Sequence, residues 1–177
     1  MDIQTTYQEV IKFAAAKHQA VMQTIPGSNL PYVVHLSNVA MEILVAAQHT
    51  QDFNLDFAIK LALLHDTLED TSTTYDELAN VFGVDVAKGV LALTKNSTLP
   101  DSEKMQDSLN RIKLLPKEVW AVKLADRITN LQKPPLHWSA AKINEYRNEA
   151  LVLLDELTGG NIYLEGRLGK KIMSYNS

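Results

Sequence analysis

Four ionisable side chains lie at the end of an apolar stretch in the segment LALLHDTLEDT, residues 61–71. His65 and Asp66 are adjacent, and Glu69 and Asp70 follow them. An imidazole nitrogen and a carboxylate oxygen are suitable ligands for a divalent first-row metal. A His-Asp pair at a helix C-terminus is more often solvated, and the histidine there interacts favourably with the helix dipole. By itself, the pair therefore favours a solvated helix end over a metal site.

Two residues elsewhere in the chain change this interpretation. His35 lies among apolar residues in PYVVHLSNVA, and Asp126 lies in the middle of the apolar pattern VWAVKLADRITNL. Singly, His35 is best read as a hydrogen-bonded core histidine, and Asp126 can be ion-paired with Lys123 or Arg127. A carboxylate in an apolar setting must be paired, hydrogen-bonded or metal-bound.

Together with the His-Asp pair, these residues supply two imidazoles and two carboxylates from three predicted helices. Such a set suits Mn²⁺, Fe²⁺, Zn²⁺ or Mg²⁺ in a site that stays open to water and substrate. The mixed nitrogen and oxygen donors favour Mn²⁺ or Fe²⁺.

Glu69 and Asp70 gain a role if this metal site exists. They lie four residues after His65 and Asp66, so a continuing helix would carry both one turn beyond the pair. A reacting water needs a proton acceptor, and a nearby carboxylate can serve. The alternative is that both residues cap the next segment. Asn130 lies four residues after Asp126 and shares its helix face.

The elements that must position these residues are helices throughout the chain. Predicted helices cover about 3–22, 32–48, 55–68, 74–82, 84–94, 102–114, 117–132 and 139–159. We predict one all-α domain, a helical bundle over residues 1–177, with a core at about 3–160 and a weakly helical tail at 161–177.

Composition narrows the class of protein. The 177 residues are enough for one domain with a sizeable core. The net charge of -4 argues against binding to duplex nucleic acid. The absence of cysteine excludes a thiol nucleophile and fits a cytoplasmic location. No apolar run is long enough to cross a membrane. The leucine-rich face at 151–157 is either core or a homo-oligomer contact.

The segments YVVH, LLHDTLEDT and VKLADRITNL resemble the HD superfamily of metal-dependent phosphohydrolases. More narrowly, they resemble the hydrolase domain of the Rel/Spo stringent-response enzymes, especially the stand-alone small alarmone hydrolases. The resemblance continues through FAAAKH, DELANVFG, LTKNSTLP and NEYRNEA, so it covers nearly the whole chain. It implies an HD-domain helical bundle that removes the 3′-pyrophosphate from ppGpp or pppGpp, giving GDP or GTP plus pyrophosphate.

The same resemblance implies roles for individual residues. The implied metal ligands, typically for Mn²⁺, are His35, His65, Asp66 and Asp126. The implied catalytic residues are the acidic pair Glu69 and Asp70. The implied substrate-binding residues are Asn130, Lys95, Tyr146 and Trp138, to which we add Gln23 from the stretch equivalent to the family's base-binding segment. Independently of the resemblance, the candidates for holding the remaining phosphates are Lys95, Lys104, Arg111, Lys142 and Arg147, although any one of them is more often a solvated surface charge.

One segment departs from the family pattern. Between the first-helix histidine and the PY dipeptide, the family usually carries a glutamine followed by basic residues that contact the guanine or phosphates. Here the segment reads HQAVMQTIPGSNLPY, with the uncharged residues 21–24 in the equivalent stretch. Two alternatives follow: the same chemistry on (p)ppApp or another nucleotide phosphate, and a non-catalytic HD domain that senses a nucleotide.

Overall fold

The computed structural model describes residues 2–135 and 137–175, and these fold into ten helices with one isolated β-bridge. The all-α prediction is confirmed. The helices are α1 (Ile3–Ala20), α2 (Val33–Ala47), α3 (Leu55–Leu64), α4 (Thr67–Asp70), α5 (Tyr75–Phe82), α6 (Val84–Leu93), α7 (Asp101–Lys113), α8 (Lys117–Asn130), α9 (Ala140–Glu156) and α10 (Ile162–Ser174).

Helix α3 forms the centre of the bundle. It packs against α1, α2, α6 and α8, and residues 61–64 are completely buried. The helix begins at Asn54, whose side chain accepts a hydrogen bond from the Phe57 backbone N–H and so satisfies an otherwise unpaired donor. Because the apolar run fills the core, His65, which follows it, lies inside the bundle next to α2 and α8.

The predicted helix at 55–68 is interrupted, contrary to the sequence-based expectation. α3 ends at Leu64, and the short α4 starts after a turn formed by His65 and Asp66. The Thr67 hydroxyl donates to the Leu64 carbonyl at 2.7 Å, which satisfies a helix-end acceptor and allows the chain to turn. The acidic pair at residues 69 and 70 therefore lies on its own helical turn.

The C-terminal tail is a regular helix rather than a weakly helical segment. Leu164, Leu168 and Ile172 of α10 recur every four residues and are buried against the bundle. Beside these residues, the Arg167 guanidinium donates two hydrogen bonds to the Glu42 carboxylate of α2, at 2.5 and 2.6 Å. This ion pair fixes α10 to the bundle. In the part of the chain that the structure describes, no helix is long and apolar enough to span a membrane.

Replacing Arg167 by alanine should destabilise the protein, because it leaves the Glu42 carboxylate buried without its partner. A fully buried pair costs more to break, and Arg167 is 41% exposed, so we expect a loss of about 2 kcal/mol in the free energy of unfolding. Urea denaturation measures this loss, with Lys170→Ala, an exposed position on the same helix, as the control. Equal stability of both variants would show that the ion pair between Arg167 and Glu42 does not stabilise the fold.

Candidate metal centre

Three helices bring two histidines and a carboxylate together at the end of α3. His35 comes from the first turn of α2, His65 follows α3, and Asp126 lies in α8. All three are buried, and one ligand atom from each lies within 4.8 Å of the others. The His35 Nε2 atom is 3.4 Å from His65 Nε2 and 3.4 Å from Asp126 Oδ1. This spacing allows one ion to contact all three.

Asp66 lies next to these three side chains. Its Oδ2 atom is 2.9 Å from His65 Nε2 and 3.8 Å from His35 Nε2. The Tyr32 hydroxyl donates a hydrogen bond to that same oxygen. The four residues that the sequence predicted as metal ligands are therefore neighbours in the structure.

Hydrogen bonds behind the two histidines turn both Nε2 atoms toward the cluster. His65 Nδ1 donates to the Ala62 carbonyl at 2.8 Å. Thr129 Oγ1 gives its proton to the Asp126 backbone carbonyl at 2.9 Å, so it accepts from His35 Nδ1 at 3.4 Å. When Nδ1 carries the ring proton, Nε2 keeps the lone pair that a metal requires.

The charged groups of the cluster shift one another's pKa values. Burial disfavours the imidazolium, but Asp66 and Asp126 outweigh this effect and raise the pKa of His65 well above its ordinary value. Burial by itself would raise the pKa of the Asp126 carboxyl, yet Lys123 and the two histidines bring it well below its ordinary value. The buried Asp126 and the half-buried Asp66 thus favour positive charge at this position, and the donor set fits a divalent cation.

The acidic pair of α4 is held by groups from two other parts of the chain. Glu69 accepts from the Lys95 backbone N–H at 2.9 Å and from Lys95 Nζ at 3.0 Å. Asp70 accepts from Gln23 Nε2 at 2.8 Å. Burial, together with the charges of Asp66 and Glu69, raises the pKa of Asp70. Both side chains are therefore oriented by contacts outside their own helix.

Two cavities flank the cluster and share an aromatic wall. One, which we call the cationic cavity, has a volume of about 550 Å³ and contains Glu69 and Lys95. The other, the His35 cavity, has a volume of about 510 Å³ and contains His35 and Asn130. Trp138 and Tyr146 line both cavities, with their rings edge to face at a centroid distance of 5.3 Å. Four of the predicted substrate-binding residues thus line this double cleft.

The fifth predicted substrate-binding residue, Gln23, lies outside both cavities. Its side-chain amide is engaged by Asp70 on one side and by His18 on the other. It borders a separate recess of about 300 Å³ beside Tyr32. Its structural partner is therefore the acidic pair of α4.

The basic residues divide into two groups. Lys95, Lys104 and Lys142 line the cationic cavity as expected. Arg111 instead donates to the carbonyls at the end of α6, and Arg147 donates to a carbonyl of α10, so neither lines this cavity.

Two further cations of the cationic cavity were not predicted as phosphate contacts. They are Lys123 and Arg127 of α8, which the sequence suggested only as partners of Asp126. Lys123 has that contact, at 3.3 Å, whereas Arg127 pairs with Glu149 at 3.5 Å and stacks on Tyr146. The only indication in the sequence that these two residues lie near the site was their closeness to Asp126 on α8.

The helical fold and the cluster of possible metal ligands agree with the protein family that the sequence matches. A model of the HD domain matches residues 11–154, and the chain belongs to this family. An HD domain implies a bound divalent metal, for which the cluster of His35, His65 and Asp126 is a candidate site.

Comparison with known proteins also confirms the narrower resemblance to the Rel/Spo hydrolases. Two relatives are named guanosine-3′,5′-bis(diphosphate) 3′-pyrophosphohydrolase MESH1. The Danio rerio protein is 34% identical over 164 residues, covering 90% of this chain and 88% of that protein. The Homo sapiens protein is also 34% identical over 164 residues, covering 90% of this chain and 89% of that protein.

A bacterial relative and a solved structure extend the comparison. The Aquifex aeolicus guanosine-3′,5′-bis(diphosphate) 3′-pyrophosphohydrolase is 34% identical over 128 residues, covering 71% of this chain and 17% of that longer protein. A solved structure, described as a metazoan ortholog of SpoT that hydrolyzes ppGpp, matches with a TM-score of 0.80 and 28% identity. The match covers 95% of this chain and 94% of that one.

Binding of a divalent metal at the cluster should stabilise the folded protein, because the unfolded chain does not hold the four clustered side chains together. At a hundred times the dissociation constant, Mn²⁺ should raise the free energy of unfolding by about 2.7 kcal/mol, and a chelator should reverse this. Denaturant titrations with and without Mn²⁺ measure the gain. His65→Ala should abolish it, whereas His137→Ala, at an exposed loop position, should retain it. An equal gain in both variants would exclude the cluster as the site.

Proposed function

We propose that this protein is a metal-dependent hydrolase that removes the 3′-pyrophosphate from ppGpp and pppGpp, giving GDP or GTP plus pyrophosphate. The observation that carries the proposal is the cluster of His35, His65, Asp66 and Asp126 beside the acidic pair of α4. This cluster lies in a chain that matches alarmone 3′-pyrophosphohydrolases along about 90% of its length.

The four clustered side chains would hold the metal, and we propose Mn²⁺, with Fe²⁺, Zn²⁺ or Mg²⁺ as alternatives. The mixture of imidazole and carboxylate donors supports this choice. When bound, the metal would polarise a phosphoryl oxygen and favour loss of a proton from water. The outer hydrogen bonds to Ala62 and Thr129 keep the two imidazoles in the required orientation.

Glu69 is the proposed general base. Its carboxylate borders the cationic cavity, and the two hydrogen bonds from Lys95 fix its position. It would accept a proton from the attacking water as the bond between the 3′-oxygen and phosphorus breaks. The proton would then be available to the departing 3′-oxygen, which becomes the hydroxyl of the nucleotide product.

The cationic cavity is the proposed site for phosphate groups. Five cations line it against three acids, whereas the whole chain has a net charge of -4. The cations are Lys95, Lys104, Lys123, Arg127 and Lys142. Such a concentration of cationic side chains on one cavity favours a substrate with several phosphates. Across the aromatic wall, Asn130 in the His35 cavity can contact the rest of the nucleotide.

The direct test is to incubate the purified protein with ppGpp and Mn²⁺ and to measure pyrophosphate and GDP by ion-exchange chromatography. Equimolar release of both products is expected. Failure of folded, metal-loaded protein to release pyrophosphate would rule out the proposed activity. Tight ppGpp binding without turnover would instead favour the nucleotide sensor.

Glu69→Gln should reduce kcat about a hundredfold, the scale of general acid-base assistance, while metal binding is retained. The amide cannot accept the proton, but it is similar in size to the carboxylate. Steady-state kinetics on ppGpp and Mn²⁺ titration measure the two effects. Glu9→Gln, at an exposed position on α1, is the matched control. Unchanged turnover would leave Glu69 as a structural contact of Lys95.

Lys142→Ala should raise KM for ppGpp about tenfold with little change in kcat, because it removes one charge-assisted contact to a phosphate. Its amine lies at the mouth of the cationic cavity, where it pairs with Glu145 at 2.9 Å. Lys88→Ala, an exposed position on α6, should leave KM unchanged. The same KM in all three proteins would contradict a phosphate contact at Lys142.

A second candidate function is the same reaction on an adenosine alarmone such as (p)ppApp. The observation that favours it is the uncharged stretch at 21–24, where Gln23 is occupied by Asp70 and His18. Values of kcat/KM on guanosine and adenosine alarmones, measured side by side, separate the two. The cytoplasmic location, the homo-oligomer and the lack of a nucleic-acid partner stay predictions.

A further inference from the structure

A chain of three polar side chains leads from His18, a buried residue in the last turn of α1, to the acidic pair of α4. His18 Nδ1 is 2.5 Å from Gln23 Oε1, and Gln23 Nε2 is 2.8 Å from Asp70 Oδ2. His18 is only 1% exposed, and its ring packs on Tyr32 at a centroid distance of 4.8 Å. Asp70 thus receives a hydrogen bond from a residue that is itself anchored in the core.

The chemistry of the three groups fixes the direction of this chain. An ionised carboxylate can only accept hydrogen bonds, so Gln23 must present its NH₂ group to Asp70. Its carbonyl oxygen then faces His18, which must donate from Nδ1. Burial lowers the pKa of His18, so the ring is neutral and Nε2 carries no proton. Among the described residues, that Nε2 atom has no hydrogen-bond partner.

The backbone around Gln23 is held from both sides. Its N–H donates to the His18 carbonyl at 3.1 Å, and its own carbonyl accepts from the Tyr32 N–H at 3.2 Å. An isolated bridge between Thr24 and Pro31 closes the loop that follows. The side chain of Gln23 therefore starts from a fixed point between α1 and α2, which reduces the entropy lost when it binds Asp70.

We propose that Gln23 is a positioning residue for Asp70, and that His18 fixes its amide in the orientation this role requires. The inference rests on the proposed function, because it assigns Gln23 a role in turnover through Asp70. It replaces the expectation that Gln23 contacts the substrate. In the segment where the family usually carries basic residues, this chain has an uncharged amide that orients the carboxylate of Asp70.

A double-mutant cycle on kcat tests the coupling between Gln23 and Asp70. Gln23→Leu should lower kcat for ppGpp about tenfold, the scale of one hydrogen bond to a charged group, and leave KM unchanged. In an Asp70→Asn background, the same substitution should change kcat by less than about twofold. Gln23→Glu keeps an acceptor for His18 but has no donor for Asp70, so it should also lower kcat. It serves as the second variant if Gln23→Leu does not fold.

Gln19→Leu is the matched control. Gln19 is exposed and adjacent to His18 on α1, and the substitution is the same. Its kcat and KM should equal those of the wild type. A rise in KM without loss of kcat in Gln23→Leu would mean that Gln23 contacts the substrate. An equal fall in kcat in both backgrounds would mean that it acts independently of Asp70. Either result would overturn the proposal.

A readout that does not need turnover separates this inference from the proposed function. In ¹⁵N-labelled protein, the side-chain amide resonance of Gln23, identified by its loss in Gln23→Leu, should shift in Asp70→Ala, whereas that of Gln19 should not. If wild-type protein hydrolyses ppGpp but the Gln23 resonance does not respond to Asp70→Ala, the positioning role is wrong. If the resonance shifts but no alarmone is hydrolysed, the contact exists and the proposed function is wrong.

Discussion

The structure depends on one constraint, which is that a helix with a fully buried last turn ends in charged side chains. The apolar run of α3 fills the centre of the bundle, so His65 emerges inside it and Asp66 is half-buried beside it. Buried carboxylates are costly unless charge or hydrogen bonds offset them. The Tyr32 hydroxyl and His65 do this for Asp66. Lys123 and the two histidines do it for Asp126, and the result is a set of donors suited to a divalent cation.

The break after α3 determines where the acidic pair of the site lies. A continuous helix would have carried Glu69 and Asp70 along the axis of α3, whereas the turn at His65 and Asp66 places them on α4. There they are held by groups from distant segments, namely Lys95 after α6 and Gln23 after α1. The acidic pair is thereby oriented by the tertiary structure, through hydrogen bonds from residues outside the cluster of four.

The cleft around the cluster is assembled mainly from the second half of the chain. Trp138 and Tyr146 form a wall between two cavities, and Arg127 stacks on the Tyr146 ring at 4.5 Å. Tyr175, which directly follows α10, lines the His35 cavity. The ion pair between Arg167 and Glu42 holds α10 against α2 and so supports the position of Tyr175, although neither residue of the pair lines the cavity.

The sequence alone determined the helical class, most helix boundaries and the four clustered residues, because these follow from local periodicity and from residue types with a restricted chemistry. It could not determine the break after α3 or the packing of α10, since both depend on hydrogen bonds and burial contributed by other helices. For the same reason, the sequence could not determine what Gln23, Lys123 and Arg127 contact. A glutamine or a basic side chain can serve many purposes, and only its neighbours in space decide which one it serves. Here those neighbours are Asp70 and His18 for Gln23, and the cationic cavity for the two basic residues.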